Sequence, residues 1–243
     1  LFFNKYMVGS PLFAPLKSVK GFDRILELNE AKRAEAQKKA RATYEVVLPD
    51  NFDPKQRYPL FVALHGGSSN IRNFKPRWQS ELLKKKYITA YVQSSQVISI
   101  NGYHWGDLKR TAEDLKKLVA LIRSKYPVDS QNILVGGFSS GGYGALYAAF
   151  KQLFPIKGYV VLCPVIPSEI QEADLVKMKQ SNLSGTVLTS DIDPRIGTQK
   201  SFSARLKAAG IRNALVITPK IGHWFPKDLG KQIDRAIHEI NKI

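Results

Sequence analysis

The chain has 243 residues, of which 44% are hydrophobic and 10% aromatic, enough for a sizeable core in one large α/β domain or two small ones. Its 37 Lys and Arg against 20 Asp and Glu give a formal net charge of +17, which would assist contact with nucleic acid, anionic lipid or acidic polysaccharide. A single cysteine excludes an internal disulfide, four histidines without metal-ligand spacing disfavour a metal site, and no apolar run approaches the roughly 18 residues of a membrane span.

The basic residues are spread along the whole chain. Their densest groups are KKKY at 84–87 and AKRAEAQKKAR at 31–41, and neither is interleaved with aromatic residues as in proteins that bind single-stranded nucleic acid. We therefore interpret them as a solvated basic surface and expect no specific nucleic-acid partner.

Residues 1–42 are predicted to be an N-terminal extension and helix that pack on the following domain. Residues 23–42 are rich in Ala, Glu, Lys and Leu and favour a helix, whereas residues 1–22 match no motif. The chain begins at Leu, and its first residues lack the charged, apolar and cleavage regions of a signal peptide. We expect either a cytoplasmic protein or an exported one from which a signal has been removed.

From residue 43 onwards, short β-branched or aromatic runs alternate with amphipathic stretches. The predicted strands are 43–48, 58–64, 87–93, 132–136, 159–163, 186–190 and 213–219. The predicted helices are 73–86, 111–126, 140–152, 167–181, 198–209 and 228–242. This alternation predicts a single α/β domain over residues 43–243, with a mostly parallel central sheet flanked by helices on both faces.

The segment GFSSG at 137–141 matches the G-x-S-x-G pattern. An apolar strand leads into it and a helix rich in small residues follows, which is the strand–turn–helix of a nucleophile elbow with Ser139 as the nucleophile. The alternative is a glycine-rich turn that holds phosphate at a helix N-terminus. The segment lacks both the P-loop and the dinucleotide-binding patterns, which weakens that alternative.

A serine nucleophile needs a base that is itself oriented by an acid. His223 follows the last predicted strand, at the sheet edge where Ser139 also emerges, whereas His238 lies in the final helix and reads as a surface or packing residue. The acid should follow the preceding strand, where Asp191 and Asp193 are both candidates. Asp191 could equally cap a turn, and we favour Asp193.

Donors for a developing oxyanion are predicted in two places. One is the backbone N–H of Ser140, directly after the nucleophile, and the other lies in the glycine-containing loop 65–69 after an early strand. His65 opens that loop, and because it precedes the nucleophile in the chain we interpret it as a structural support rather than a base.

Four motifs together resemble the α/β-hydrolase superfamily. They are LHGG at 64–67, GFSSGG at 137–142, DIDP at 191–194 and GHWF at 222–225. The resemblance is to the compact esterase group, which includes phospholipase/carboxylesterase-like and feruloyl esterase/depolymerase-like enzymes. It implies a triad of Ser139, Asp193 and His223, with the backbone N–H groups of Gly67 and Ser140 as the oxyanion hole. The family often has Gly shortly before its acid where this chain has Thr-Ser, which keeps Asp191 as the alternative acid.

The expected site is open, with little or no lid, because only about 22 residues separate two of the predicted central strands. Aromatic side chains on loops at the predicted active edge are candidates to line a substrate pocket, although such clusters often serve only packing. They are Tyr103, His104, Trp105 and Trp224. Cys163, at the end of an apolar strand, is expected to be an inert buried thiol.

The sequence therefore predicts a carboxylesterase that cleaves small-molecule or polymer-linked esters through an acyl-enzyme, with no cofactor and no metal. One alternative is a prolyl-oligopeptidase-like serine peptidase, since YPLFVALHGG at 58–67 and FSSGGYGA at 138–145 also resemble the catalytic domain of those enzymes. A second alternative is a catalytically silent hydrolase fold that binds an anionic polymer through the basic surface.

Overall fold

A seven-stranded sheet forms the centre of the computed structural model, which describes residues 2–3 and 10–242. The strands are β1 (Thr43–Val47), β2 (Tyr58–Leu64), β3 (Ile88–Gln93), β4 (Gln96–Ser99), β5 (Gly102–His104), β6 (Val128–Phe138), β7 (Gly158–Leu162), β8 (Ser184–Ser190) and β9 (Arg212–Thr218). The large sheet has the order β1-β3-β2-β6-β7-β8-β9, and β4 pairs with β5 in a separate antiparallel ribbon. In the large sheet β1 runs antiparallel to β3, and the other pairs are parallel.

The helices precede, connect and follow these strands. They are α1 (Phe22–Lys39), α2 (Ile71–Phe74), α3 (Glu81–Lys86), α4 (Leu108–Lys125), α5 (Ser140–Phe150), α6 (Glu172–Gln180), α7 (Ile196–Ala208) and α8 (Leu229–Asn241), with a 3-10 helix at Pro11–Ser18. Among the helices of the described residues, none is both long and apolar enough to cross a bilayer.

Alternate side chains of β2 point to opposite faces of the sheet and enter two separate apolar cores. Leu60 and Leu64 belong to the core that is covered by α4, α5, α6 and α7. Phe61 belongs to the core that is covered by α2, α3 and α8. Both faces of the central strands are therefore buried, which confirms the predicted mostly parallel sheet with helices on either side.

The predicted helix over residues 73–86 is wrong, because this segment forms the end of α2, a turn and then α3. Pro76 lies between the two helices and cannot continue an α-helical hydrogen-bond pattern. Each short helix has its own N-cap: the side chain of Asn70 accepts from the amide of Asn73 at 3.0 Å, and Ser80 accepts from the amide of Leu83 at 3.1 Å.

The segment between the predicted strand 87–93 and the predicted helix 111–126 contains the β4–β5 ribbon, and neither of its strands was predicted. Both strands are short, at four and three residues, so their hydrophobic pattern is too brief to stand out. The predicted helix at 167–181 begins only at Glu172, where Gln171 and Asp174 form a reciprocal capping box.

The N-terminal helix α1 is attached to this ribbon by hydrogen bonds. The side chain of Gln37 donates to the carbonyl of Ser95 at 2.8 Å and accepts from the amide of Val97 at 2.9 Å. Arg33 also donates to the carbonyl of Val97 at 3.3 Å. Of the extension predicted over residues 1–42, residues 1 and 4–9 lie outside the described residues.

The two leucines at positions 115 and 121 of α4 provide a matched test of this core. Leu115 is completely buried, whereas Leu121 is 38% exposed. We expect Leu115→Ala to lower the free energy of unfolding by about 2–5 kcal/mol through lost burial and a residual cavity, and Leu121→Ala to cost less than about 1 kcal/mol. Urea unfolding followed by circular dichroism measures both, and equal losses would contradict the assigned face of α4.

Candidate active site

Ser139 occupies the turn between β6 and α5 in a backbone conformation that side chains rarely adopt. Its φ is 53° and its ψ is −113°. A non-glycine residue in this region carries backbone strain of roughly 1–3 kcal/mol, which contacts with the surrounding structure must offset. The amide of Ser139 donates to the carbonyl of Leu162 at 2.9 Å, which ties the turn to the end of β7. The strained turn presents the hydroxyl at the carboxyl end of the sheet, as in a nucleophile elbow.

Gly141 allows α5 to approach the end of β2. A Cβ at this position would lie 2.2 Å from the carbonyl oxygen of Leu64 and 2.4 Å from that of His65. Both neighbours are backbone atoms, so no side-chain rotation could relieve the overlap. The second glycine of the G-x-S-x-G pattern is therefore required by a backbone contact.

His223 lies within hydrogen-bond distance of Ser139. Its Nε2 is 2.8 Å from Ser139 Oγ, and the loop that carries it follows β9. The hydroxyl of Ser190 accepts hydrogen bonds from the amides of Ile221 at 3.2 Å and Gly222 at 3.0 Å, which anchors the loop to the end of β8. The ring of Phe138 lies 5.0 Å from the imidazole, centroid to centroid.

Asp193 contacts the other ring nitrogen of His223, with Oδ2 2.6 Å from Nδ1. Its second oxygen, Oδ1, accepts from the amide of Arg195 at 2.8 Å and from Nε2 of Gln199 at 3.4 Å. Burial raises the pKa of Asp193, but hydrogen bonds from His223, the Arg195 amide and the Cys163 thiol outweigh burial, so its pKa lies below the ordinary value. An ionised carboxylate only accepts, so Nδ1 carries the proton and Nε2 is free to accept from the serine hydroxyl.

The neighbouring candidate, Asp191, has different partners. It is exposed, and its Oδ1 accepts from the amide of Lys220 at 2.7 Å and from the hydroxyl of Ser190 at 3.1 Å. The Lys220 amide is the main cause of its lowered pKa. Asp191 thus links the loop after β8 to the loop after β9, and Asp193 is the carboxylate that reaches the imidazole.

The two residues that carry the predicted oxyanion donors, Gly67 and Ser140, lie next to each other. A Cβ built on Gly67 would be 3.4 Å from the Cβ of Ser140, so the loop after β2 touches the start of α5. Ser140 is the first residue of α5, and its amide therefore has no acceptor within the helix. Its hydroxyl accepts from the amide of Trp105 at 3.0 Å. The side chain is held by this contact, and the backbone amide is the predicted oxyanion donor.

His65 is a buried, neutral support for the loop after β2. Its Nε2 accepts from the amide of Ser94 at 3.3 Å, so its Nδ1 is the nitrogen that donates to the carbonyl of Gly66 at 2.7 Å. Burial lowers the pKa of His65 to about 4. These contacts fit the structural role that the sequence suggested for it.

The aromatic residues chosen as pocket candidates separate into two groups. Trp105 is completely buried and donates from Nε1 to the carbonyl of His65 at 2.9 Å, so the expectation that it lines an open pocket is corrected: it packs beneath the loop. Tyr103 and His104 lie half-buried in β5. Trp224, by contrast, is 52% exposed and lines a cleft beside the site.

This cleft has a volume of about 280 Å³ and joins the loop after β2 to the residues after His223. It is lined by Gly66, Gly67, Ser68, Ser69, Asn73, Phe74, Arg77, Phe138, Trp224 and Phe225. Phe74, Arg77 and Phe138 were not identified from the sequence. Phe138 is the variable residue before Ser139 in the G-x-S-x-G pattern, whereas Phe74 lies at the end of α2 and Arg77 in the turn after it, and neither belongs to a motif.

Cys163 lies next to Asp193, and its thiol, Asp193 and His223 offer ligand atoms within 4.8 Å of one another. A metal would require the thiolate, but burial and the nearby Asp193 carboxylate raise the pKa of Cys163 to about 12. Both ring nitrogens of His223 are already engaged by protein groups. The group is therefore better suited to transferring a proton than to holding a cation.

The strand order, the strained serine turn and the flanking helices give this chain the α/β-hydrolase fold. Residues 36–155 match the protein-family model Esterase, whose description is "Putative esterase". Together with the structural neighbours, this match supports a hydrolase of the esterase type.

Three proteins are similar to this chain in sequence or in fold, and one of them is much longer than it. "Probable dipeptidyl-peptidase 5" of Aspergillus terreus is 27% identical over 109 residues, and the match covers 40% of this chain but only 15% of that protein. An uncharacterised protein from Bacillus cereus ATCC 10987 superposes with a TM-score of 0.72 at 26% identity, over 99% of this chain and 77% of its own. Esterase PE8 shares the fold with a TM-score of 0.63 at 19% identity, over 82% of this chain and 99% of its own.

The buried His65 predicts a pH dependence of stability. Between about pH 6.5 and pH 4 the unfolded chain binds a proton at this residue and the folded chain does not, so stability falls as the pH is lowered through that window. The contribution is roughly 3 kcal/mol. Chemical unfolding at pH 7 and pH 4.5 measures how much the free energy of unfolding falls on acidification. This decrease should be clearly smaller for His65→Gln than for the wild type.

The exposed His238 of α8 supplies the control for this experiment. His238→Gln should retain the wild-type pH dependence. If acidification lowers the free energy of unfolding of His65→Gln and His238→Gln by the same amount, the assignment of His65 as buried and neutral is wrong.

The backbone contact at Gly141 gives a second prediction. In Gly141→Ala the added Cβ would overlap two carbonyl oxygens. We expect this variant to give much less soluble protein than the wild type, or to unfold at a temperature several degrees lower. Gly197 in α7 has no atom within 4 Å of a built Cβ, so Gly197→Ala should be neutral or slightly stabilising. Thermal unfolding of both variants decides the matter, and a Gly141→Ala protein as stable as Gly197→Ala would contradict the described approach of α5 to β2.

Proposed function

We propose that this protein is a carboxylesterase that uses Ser139 as nucleophile, His223 as base and Asp193 as the orienting acid. The observation that carries the proposal is the continuous pair of hydrogen bonds, 2.8 Å from Ser139 Oγ to His223 Nε2 and 2.6 Å from His223 Nδ1 to Asp193 Oδ2. Both lie within the range in which an apo site can pass a proton. The strained φ of Ser139 and the match to the esterase family model support the same conclusion.

The chemistry follows in two halves. Ser139 Oγ attacks the ester carbonyl while His223 Nε2 takes the hydroxyl proton, and the negative charge that develops on the carbonyl oxygen is stabilised by the amides of Gly67 and Ser140. The tetrahedral intermediate collapses to an acyl-serine, and His223 returns the proton to the leaving alcohol. A water molecule then attacks the acyl-serine with His223 again as base, which releases the acid and restores the hydroxyl.

Asp193 contributes by fixing the imidazole rather than by accepting the proton. Its buried, ionised carboxylate holds Nδ1–H and stabilises the imidazolium that forms during each half of the reaction. The amide of Arg195 and the side chain of Gln199 hold the carboxylate in place from the opposite side. No cofactor takes part in this mechanism.

A serine peptidase is the second candidate, and the similarity to the dipeptidyl-peptidase of Aspergillus terreus favours it. The same triad could attack an amide, so the distinction depends on substrate binding rather than on the three residues. The match covers only 40% of this chain, and the family model of residues 36–155 is that of an esterase. We therefore place the peptidase second.

Covalent labelling and ester hydrolysis test the proposed roles with matched variants. Ser139→Ala should abolish labelling by a fluorophosphonate probe and lower kcat/KM for a short p-nitrophenyl ester by about 10⁴-fold or more. Asp193→Asn should lower kcat by a similar order because the imidazole then loses its acceptor and its tautomer. Asp191→Asn, two residues away, should retain activity within about threefold.

Three outcomes would oppose the proposal. Loss of activity in Asp191→Asn with retention in Asp193→Asn would transfer the acid role to Asp191. Absence of labelling in the wild type would favour a catalytically silent binding protein. Efficient cleavage of dipeptidyl amides together with poor cleavage of the esters would favour the peptidase.

A further inference from the structure

The cleft beside Ser139 has an aromatic floor close to the reacting groups. Phe138 directly precedes Ser139, and Phe225 stacks against it with ring centroids 4.4 Å apart. Trp224 meets Phe225 edge to face at 5.6 Å and leaves 52% of its own surface exposed. Covering this exposed tryptophan, beside the buried Phe138 and the partly buried Phe225, with another flat, apolar group would be favourable.

Arg77 provides the positive charge at this cleft. Its guanidinium lies 5.0 Å from the ring of Trp224 and 5.7 Å from the ring of Phe225. Stacking in this way uses the faces of the guanidinium and leaves its N–H groups at the edge for a ligand. Within residues 10–242, no carboxylate lies within 4.0 Å of Arg77, and the residues that line the cleft include no Asp or Glu.

The volume of the cleft limits what can occupy it. An engineered cavity of about 150 Å³ in another protein holds one benzene molecule. At about 280 Å³, this cleft can hold one substituted ring or an acyl chain of a few carbons, and it is too small to enclose a long fatty chain.

On the basis of the proposed esterase function, we propose that the cleft binds one arm of the ester substrate and that this arm is a single aromatic ring bearing a carboxylate, paired with Arg77. The ring lies against Trp224 and Phe225, and the carboxylate accepts two hydrogen bonds from the guanidinium edge. Asn73, Ser68 and Ser69 add uncharged polar groups to the same rim. The cleft therefore selects anionic aryl esters over their neutral counterparts.

The high net charge of the protein offers a competing explanation for any preference for anions. A charge of +17 attracts negative substrates to the whole surface and would raise their association rate without a specific contact. Removing one exposed positive charge elsewhere should then have as much effect as removing Arg77. Arg72 is such a residue, since it is exposed, lies in α2 and does not line the cleft.

The test compares esters that differ only by one ring carboxylate. Phenyl acetate against 3-acetoxybenzoate places the charge on the alcohol arm, and p-nitrophenyl benzoate against its 4-carboxy derivative places it on the acyl arm. The quantity measured is the ratio of kcat/KM for the charged and neutral member of each pair. In one of the two pairs, Arg77→Gln should lower this ratio by about tenfold or more.

Two further variants separate a specific contact from a general one. Arg77→Lys keeps the charge but loses the planar fork, so its ratio should fall between those of the wild type and Arg77→Gln. Arg72→Gln should retain the wild-type ratio within about twofold. If Arg77→Gln and Arg72→Gln change the ratio equally, or if neither pair responds to Arg77→Gln, the proposed contact is wrong.

A binding measurement on Ser139→Ala keeps this inference distinct from the proposed function. Benzoate should quench the tryptophan fluorescence more strongly than benzamide does, and Arg77→Gln in the same background should remove the difference. Trp78 and Trp105 are completely buried, so the exposed Trp224 is the tryptophan that the ligand can reach. Turnover of the neutral esters with no benzoate preference would overturn the inference alone. A benzoate preference without turnover of any ester would instead overturn the proposed esterase function, and with it the role of the cleft as a substrate site.

Discussion

The close contact between the start of α5 and the end of β2 is the constraint on which the rest of the site depends. In the sheet, Leu64 of β2 pairs with Gly137 of β6, so the loop after β2 and the serine turn leave the sheet side by side. Gly141 then lets the helix backbone reach the carbonyl oxygens of residues 64 and 65. Because of this approach, Gly67 lies next to Ser140, as the proposal that their amides stabilise one carbonyl oxygen requires.

A second group of buried contacts holds Asp193 and His223 in position beside that turn. Gln199 is completely buried, accepts from the hydroxyl of Thr189 and donates to Asp193 and to the carbonyl of Pro164. Ser190 anchors the loop that carries His223. The positions of Asp193 and His223 are thus set by the ends of adjacent parallel strands, β8 and β9, rather than by flexible loops alone.

The sheet and the position of the serine turn could be predicted from local patterns, because buried parallel strands are continuous apolar runs and the G-x-S-x-G turn has a steric requirement. Asp193 and Asp191 could not be separated in this way. Both follow β8 within three residues, and only the folded loop shows that one faces the imidazole while the other accepts from Lys220. Trp105 was misjudged for a related reason: an aromatic residue in a loop gives no local sign of its burial.

The cleft was the part least accessible from sequence. Arg77 and Trp224 are separated by almost the whole domain, and their stacking depends on the turn at Pro76 and on the loop after β9. A charged residue over an aromatic ring leaves no periodic pattern in either segment. The proposed substrate selectivity therefore depends on tertiary contacts, whereas the fold depends on patterns that each segment carries itself.

The most direct test of the account is the mass of the acyl-enzyme. The protein is mixed with p-nitrophenyl acetate, quenched in acid within milliseconds to seconds, digested and mapped by mass spectrometry. Acylation of Ser139 should give a burst of about one p-nitrophenol per protein and one acetyl group on the peptide that contains Ser139. Steady hydrolysis with no acetylated peptide, or an acetyl group on a different residue, would contradict it.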